Sequence, residues 1–347
     1  MKILVCSVHF GAGHTAHLSA YQKMLNECGY DVALYLDKRY MKLFNNLSGK
    51  VFFDQSEAEK FHPDILWIYN PGLENINVIR KFKHMHVPIA YVLHEPFMGV
   101  RNLLKEGNNF GRASAAMVLN YWTCYKADKV ILSSLNAQKS CSTYMKAAYQ
   151  KSTLFPLIFP DELIQNRTRK YFSSIGTYAN THGTHYFLEF VKNSEHSNDI
   201  LFQIITRSNI KEKLKNPVFQ RMIKNGRLIV QQGRPLTEME MNDAYRKSIC
   251  TWNGYIKSAQ SGVLANSFMQ GTPVMATRLE SFGEYIQDGY NGIFINNFEY
   301  DTILNAFLQI RENISVLSQN ARNTFLQYFY YRNQELKFVK IIDEIMQ

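Results

Sequence analysis

Paired cysteines are missing from this chain. Cys6, Cys28, Cys124, Cys141 and Cys250 are scattered without paired spacing, which argues against a disulfide framework or metal cluster and for a reducing compartment. No apolar run approaches the roughly 18 residues of a membrane-spanning helix. The amino terminus, Met1 to Val8, is too short for a signal peptide and runs directly into Gly11-Ala12-Gly13-His14, as a first buried strand would. His-Glu-x-x-His, Cys-x-x-Cys and a Ser/His/Asp order are absent. So is a carboxylate pair with the spacing that glycoside hydrolysis needs. No protein-bound metal and no cofactor are therefore expected, and neither local repeats nor low-complexity tracts interrupt the chain.

What is present suits an α/β enzyme. The length of 347 residues favours two domains, each large enough for its own core. Basic residues number 39 against 29 acidic ones, a net charge of +10. Residues 1–153 alone hold 18 Lys and Arg against 11 Asp and Glu. No nucleic-acid module accompanies this charge, so a membrane surface or a phosphorylated ligand is the better match. The expected location is cytoplasmic, with peripheral contact at the inner face of the membrane.

Short apolar runs alternate with helical patterns, which reads as βαβ units in parallel sheets. In the first half, strands are predicted over Lys2–Val8, Asp31–Leu36, Ile65–Tyr69, Ile89–Leu93 and Lys129–Ser133. Helices are predicted over His17–Cys28 and Asn108–Lys126. The run 154–170, carrying Pro156 and Pro160, breaks the rhythm as an interdomain linker. A second series of strands follows: Tyr171–Gly176, Ile200–Thr206, Leu228–Gln232, Ile249–Trp252, Pro273–Ala276 and Gly292–Ile295. Between them fall helices over Glu238–Lys247 and Gly262–Met269, and a long helical pattern over Asn323–Met346 closes the chain. Two Rossmann-like, doubly wound domains facing across a cleft are the economical architecture. Ligands then bind beyond the carboxyl ends of the strands.

The stretch from Asn253 to Ile295 carries the strongest chemical signal. A helix beginning at Ser261-Gly262-Val263 points unpaired backbone N–H groups and a positive dipole end outward, which suits an anionic diphosphate. Gly11 and Gly13 likewise open a helix after the first strand and allow close backbone approach, with His14 as a candidate lining residue. His94 and Glu95 end a strand where α/β active sites form. Trp252 and Tyr255 follow a strand end, as a flank for a base or as plain core. Lys38 to Phe44 mixes basic and large apolar side chains, as either an interfacial piece or an ordinary helix.

Gly271-Thr272-Pro273-Val274 and the tail from Gly283-Glu284 to Asp288-Gly289 resemble the donor-binding signature of the group 1, retaining glycosyltransferases of the GT-B fold. The likeness extends over nearly the whole chain. In that family the signature begins Glu-x7-Glu, and Ser258 and Asn266 occupy those two positions here. Phe172 to Gly183 resembles the family's Gly-Arg-x-x-x-x-Lys-Gly loop after Gly176, with Thr177 and His182 in place of the two cations. The resemblance implies a nucleoside diphosphate sugar, either a UDP- or a GDP-sugar, held by the second domain. A saccharide or lipid-linked acceptor would be held by the first, with His94 on the donor sugar and Ser258 beside it. Gly11, Gly13, Gly176, Thr177, His182, Ser261, Gly262, Val263 and Asn266 would meet the donor, and His14 and Glu95 the acceptor. Arg207 is the substitute expected for the missing phosphate cation, ahead of Arg234 and Arg278. In the family the last helix returns to the first domain, so residues 1–153 and about 323–347 would form one domain and 171–322 the other.

The expected activity is transfer of a hexose to a saccharide hydroxyl in surface polysaccharide synthesis. Two alternatives stay open: a nucleotide-sugar 2-epimerase on the same fold, and a GT-B protein that binds without turnover.

Overall fold

The computed structural model describes residues 1–42, 49–94, 99, 110–165, 168–197, 199–234, 236–257 and 261–347, with only the backbone of Ala12 and Arg112. The chain divides into two compact units, Met1–Pro160 with Phe329–Gln347, and Asp161–Tyr328.

The first unit holds seven parallel strands: β1 (Lys2–Ser7), β2 (Asp31–Leu36), β3 (Lys50–Phe52), β4 (Ile65–Ile68), β5 (Ile89–Leu93), β6 (Lys129–Leu132) and β7 (Ser152–Leu154). Their order is β3-β2-β1-β4-β5-β6-β7. The central strands read as unbroken apolar runs because helices cover both faces of a parallel sheet. Ile3, Leu4, Val5 and Cys6 are fully buried. One face is closed by residues distant in sequence: the Trp67 ring lies 4.8 Å from Phe338, and Phe155 lies 5.4 Å from the same ring.

The second unit holds six parallel strands: β8 (Tyr171–Ile175), β9 (Leu201–Ile205), β10 (Leu228–Gln231), β11 (Ser248–Asn253), β12 (Val274–Thr277) and β13 (Gly292–Ile295). Their order is β10-β9-β8-β11-β12-β13. An aromatic core of Phe172, Phe187, Phe202, Trp252 and Phe307 fills one side. Trp252 is therefore a core residue and does not flank a ligand.

Three stretches add to the sequence expectation. In the run 154–170, read as a linker, described residues are packed: Phe155, Ile158 and Phe159 are buried in the first unit. Arg169, in the second, donates to Ser248 O, Thr272 Oγ1, Gln270 O and Gly271 O. The closing helical pattern is broken after Tyr328, where Phe159 N donates to Phe329 O and a single 3₁₀ turn over Tyr331–Gln334 precedes the last helix, Glu335–Met346. The chain thus re-enters the first unit at Phe329, not near Asn323. Lys38–Lys42 is a 3₁₀ turn whose Tyr40 is buried and whose Arg39 pairs with Asp37, while Leu43 and Phe44 lie outside the described residues.

Candidate functional site

In an open parallel sheet the crevice opens where strand order reverses, outside the carboxyl ends of the two strands that flank the reversal. That point lies between β1 and β4 in the first unit and between β8 and β11 in the second. Residues chosen from the sequence gather at both.

Beyond β1, Gly11 donates its N–H to the Tyr40 hydroxyl at 2.9 Å, so this amide is spent inside the protein. What Gly11 supplies is space: a Cβ there would sit 2.6 Å from His14 Cε1, in collision with the imidazole. Gly13 is exposed at the helix entry. The His14 ring stacks on His94 with centroids 6.0 Å apart, and both rings meet Tyr69 edge-on. Asn70, buried just past β4, donates to His9 O at 2.6 Å and to His14 Nδ1 at 3.4 Å. That places the His14 proton on Nε2. His94 Nε2 donates to Tyr69 O at 2.5 Å, leaving His94 Nδ1 as an acceptor. His17, which points into the protein, bonds through Nδ1 to Ile158 O at 2.9 Å.

These histidines are held neutral. Burial first, then His14 and His17, pushes His94 down to about 3. Burial, then His9, pushes His14 down to about 4. Burial also pushes His17 down to about 4, against the opposing pull of its bond to Ile158 O. At neutral pH the His14–His94 pair therefore offers one N–H donor and one nitrogen lone pair, a set suited to sugar hydroxyls. Glu95, expected beside them, lies outside the described residues.

Beyond β8, Gly176 donates its N–H to Ile205 O at 2.9 Å, and a Cβ on it would lie 3.1 Å from Val263 Cγ2. The loop after β8 thus abuts the start of the helix Gly262–Met269. Ser261 caps that helix, its Oγ accepting from Leu264 N at 3.3 Å. Gly262 and Val263 N–H have no partner among the described residues. Gly271-Thr272 fixes the far end of this helix: Thr272 Oγ1 donates to Tyr245 O, and Arg169 grips Gly271 O. Asn266 lies half-buried on the helix. The Glu284 carboxylate neighbours the Tyr285 hydroxyl, whose burial pushes it well above the ordinary phenol range. Ser258, expected at the donor sugar, lies outside the described residues.

His182, expected in place of the family's lysine, is engaged within its own loop and with Tyr255. Its Nδ1 donates to Thr177 O at 3.0 Å, and its ring lies flat on Tyr255. Of the three arginines weighed from the sequence, two are engaged: Arg234 with Glu240, and Arg278 with Asp288 at 2.6 Å. Arg207, exposed just past β9, has no partner among the described residues. Arg169, Arg221, Arg227, Arg246, Arg311 and Arg322 all bond to carboxylates or carbonyls. Among the described arginines of this unit, Arg207 alone is uncommitted.

No protein-family model and no curated protein sequence matches the chain. Solved structures do match it along its length. Anabaena HepE in complex with UDP aligns over 99% of this chain and 100% of its own, at 13% identity and a TM-score of 0.74. This chain has the GT-B fold. A glycosyltransferase from Rickettsia africae aligns over 100% and 98% of the two chains, again at 13% identity and a TM-score of 0.74. Sucrose-phosphate synthase from Thermosynechococcus elongatus aligns over 99% of each chain at 12% identity and a TM-score of 0.74. Two of the residues that sequence reasoning missed, Tyr40 and Asn70, reach their neighbours only through the fold. Spacing carries no signal for them.

Proposed function

We propose that the chain is a glycosyltransferase that moves a hexose, with retention of configuration, from a nucleoside diphosphate sugar to a saccharide or lipid-linked saccharide in surface polysaccharide synthesis. The observation that carries this reading is the pairing of an open helix start at Gly262 with the uncommitted Arg207. A diphosphate leaving group needs its charge met where it develops. The helix start contributes about half a positive charge and directed N–H groups, and Arg207 a permanent cation that can bind two oxygens at once. Thr177 is assigned to the same phosphates, and Asn266 Oδ1 to a ribose hydroxyl.

The neutral His94 and His14 are assigned to hydroxyls of the sugar and the acceptor, and Glu95, next in sequence to His94, to the acceptor. Neither can act as a permanent charge partner, which fits hydroxyl recognition better than phosphate binding. GT-B proteins solved with UDP and UDP-glucose support a nucleotide-sugar donor. WaaG, a glycosyltransferase involved in lipopolysaccharide biosynthesis, has a TM-score of 0.65 to this chain and supports the polysaccharide role.

The test is a donor screen that follows nucleoside diphosphate release from UDP-, GDP- and ADP-sugars, with and without saccharide acceptors. Acceptor-dependent release from one donor is expected. Silence across all of them sinks the proposal. One observation favours a second reading, a binding protein without turnover: the two family cations are replaced, and His182 is tied down. Calorimetry separates the two readings, since that protein would show little affinity for UDP or GDP.

A further inference from the structure

Asn70 is fully buried where strand order reverses in the first unit, two residues past β4. Its backbone is held by Asn75, whose Nδ2 donates to Asn70 O at 2.7 Å. Its side chain crosses to the loop after β1, with Nδ2 at 2.6 Å from His9 O and 3.4 Å from His14 Nδ1. Both bonds leave from the one nitrogen. A carbonyl oxygen can only accept, so the contact with His9 O fixes which end of the amide faces that loop. The second N–H of the amide then meets His14 Nδ1, which must present its lone pair. Asn70 Oδ1 is buried and has no hydrogen-bond partner among the described residues. An unmet buried acceptor costs stability, so packing alone does not explain an asparagine at this position.

The other neighbours of the His14 ring leave its tautomer open. Tyr69, at the end of β4, and His94, after β5, meet it only through ring contacts, with centroids 5.3 and 6.0 Å away. His9, from the loop after β1, disfavours a charge on His14, and His14 in turn disfavours one on His17, from its own helix. The Glu74 carboxylate lies 3.9 Å from His9 Nδ1, and no described carboxylate bonds to His14. We propose that Asn70 is a positioning residue for the transfer site, holding His14 in the neutral form whose Nε2–H can meet a substrate hydroxyl. The use of that donor rests on the glycosyltransferase reading. The tautomer does not, and it can be observed without turnover.

Long-range proton–nitrogen NMR of the full chain, with the His14 signals identified by their loss in His14→Gln, tests it. At neutral pH the native ring should carry its proton on Nε2 and none on Nδ1. In Asn70→Asp the new carboxylate can only accept, so the proton should move to Nδ1 and the ring should titrate about 1–3 pH units higher. Transfer by this variant should fall roughly tenfold as pH rises through that new value, because Nε2 changes from donor to acceptor. Native transfer should show no such step. Asn70→Ala removes the N–H that blocks protonation at Nδ1, so there too His14 should titrate higher. Circular dichroism establishes that each variant is folded, and if Asn70→Asp is not, the titration of Asn70→Ala decides. A native proton on Nδ1, or an unchanged His14 titration in the folded variants, overturns the proposal. So does native transfer by Asn70→Asp across the pH range once its tautomer has switched. A native chain that transfers nothing, yet shows the expected tautomer, overturns the glycosyltransferase reading and leaves the hold of Asn70 on His14 established.

Discussion

The imidazole of His182 lies flat on the ring of Tyr255, with centroids 4.3 Å apart and planes within 9°. The stack joins the loop after β8 to the loop after β11, the two strands that flank the reversal of strand order. Ile256 N reinforces it by donating to Thr181 O at 2.8 Å. A stacked aromatic pair contributes about 0.5–1.5 kcal/mol beyond its buried area. His182→Ala should therefore lower the urea midpoint by an amount equivalent to about 1 kcal/mol, while His182→Phe should recover most of it. A midpoint unchanged in the alanine variant would show that the stack does not hold the two loops together.

Arg207 separates the proposed donor site from an ordinary basic surface. Removing a charge-assisted contact to phosphate should weaken nucleotide binding by about tenfold to a hundredfold. Calorimetry with UDP and GDP on Arg207→Ala should show that loss. Arg234→Ala and Arg278→Ala should bind nearly as the native chain does, because those guanidinium groups already serve Glu240 and Asp288. If all three variants bind alike, the phosphate assignment of Arg207 fails.

Gly183 tolerates no side chain. Its φ is +59°, and a Cβ would lie 2.0 Å from Gly254 O, a backbone atom that cannot swing away. Gly183→Ala should cost about 2 kcal/mol or more, the strained conformation accounting for about 1–2 of it. Gly11→Ala should do less to stability, since the obstructing His14 ring can rotate, but it should displace that ring from its stack on His94. Thermal unfolding measures the first effect. The second appears as a larger fractional loss in transfer rate than in melting temperature.

Three neutral histidines, of which His17 is buried and His14 and His94 partly so, make the first unit acid-sensitive. His14, His17 and His94 have folded pKa values pushed down to about 4, 4 and 3, below the ordinary imidazole value of 6.5. The unfolded chain then binds more protons than the folded one in this range, so stability rises with pH. The contribution is fully present above about 6.5 and is lost progressively as pH falls toward 4. Urea midpoints between pH 7.5 and 4.5 should fall with a slope approaching three protons, and His17→Gln should reduce that slope by about one. A flat profile would mean that these rings are already charged in the folded state.

Most of the architecture was legible because buried parallel strands are apolar on both faces. Every strand expected from an apolar run is present, within two residues at each end. The two that escaped notice, β3 and β7, are three-residue edge strands, and Lys50 and Ser152 give them no apolar signature. The break after Tyr328 was equally silent. Phe325, Phe329, Leu336, Val339, Ile342 and Ile345 keep a helical apolar rhythm through the break, yet Leu336 is exposed and Phe338 buried, and only tertiary pairing of Phe329 with Phe159 shows the interruption. Within the candidate site, residue identities were visible but their commitments were not. That Gly11 and Gly176 spend their amides internally, or that Arg234 is neutralised and Arg207 is not, depends on neighbours distant in sequence.

The return of Phe329–Gln347 to the first unit bears on how the chain is made. Phe338, Ile341 and Ile342 complete a core with Tyr21, Trp67 and Phe155. A nascent polypeptide lacks that cover until residues 329–347 leave the ribosome, whereas the stretch from Asp161 to Tyr328 is contiguous and can close earlier. Until then, the stretch before Asp161 waits with an aromatic flank open to water, the moment at which a chaperone would find most to hold.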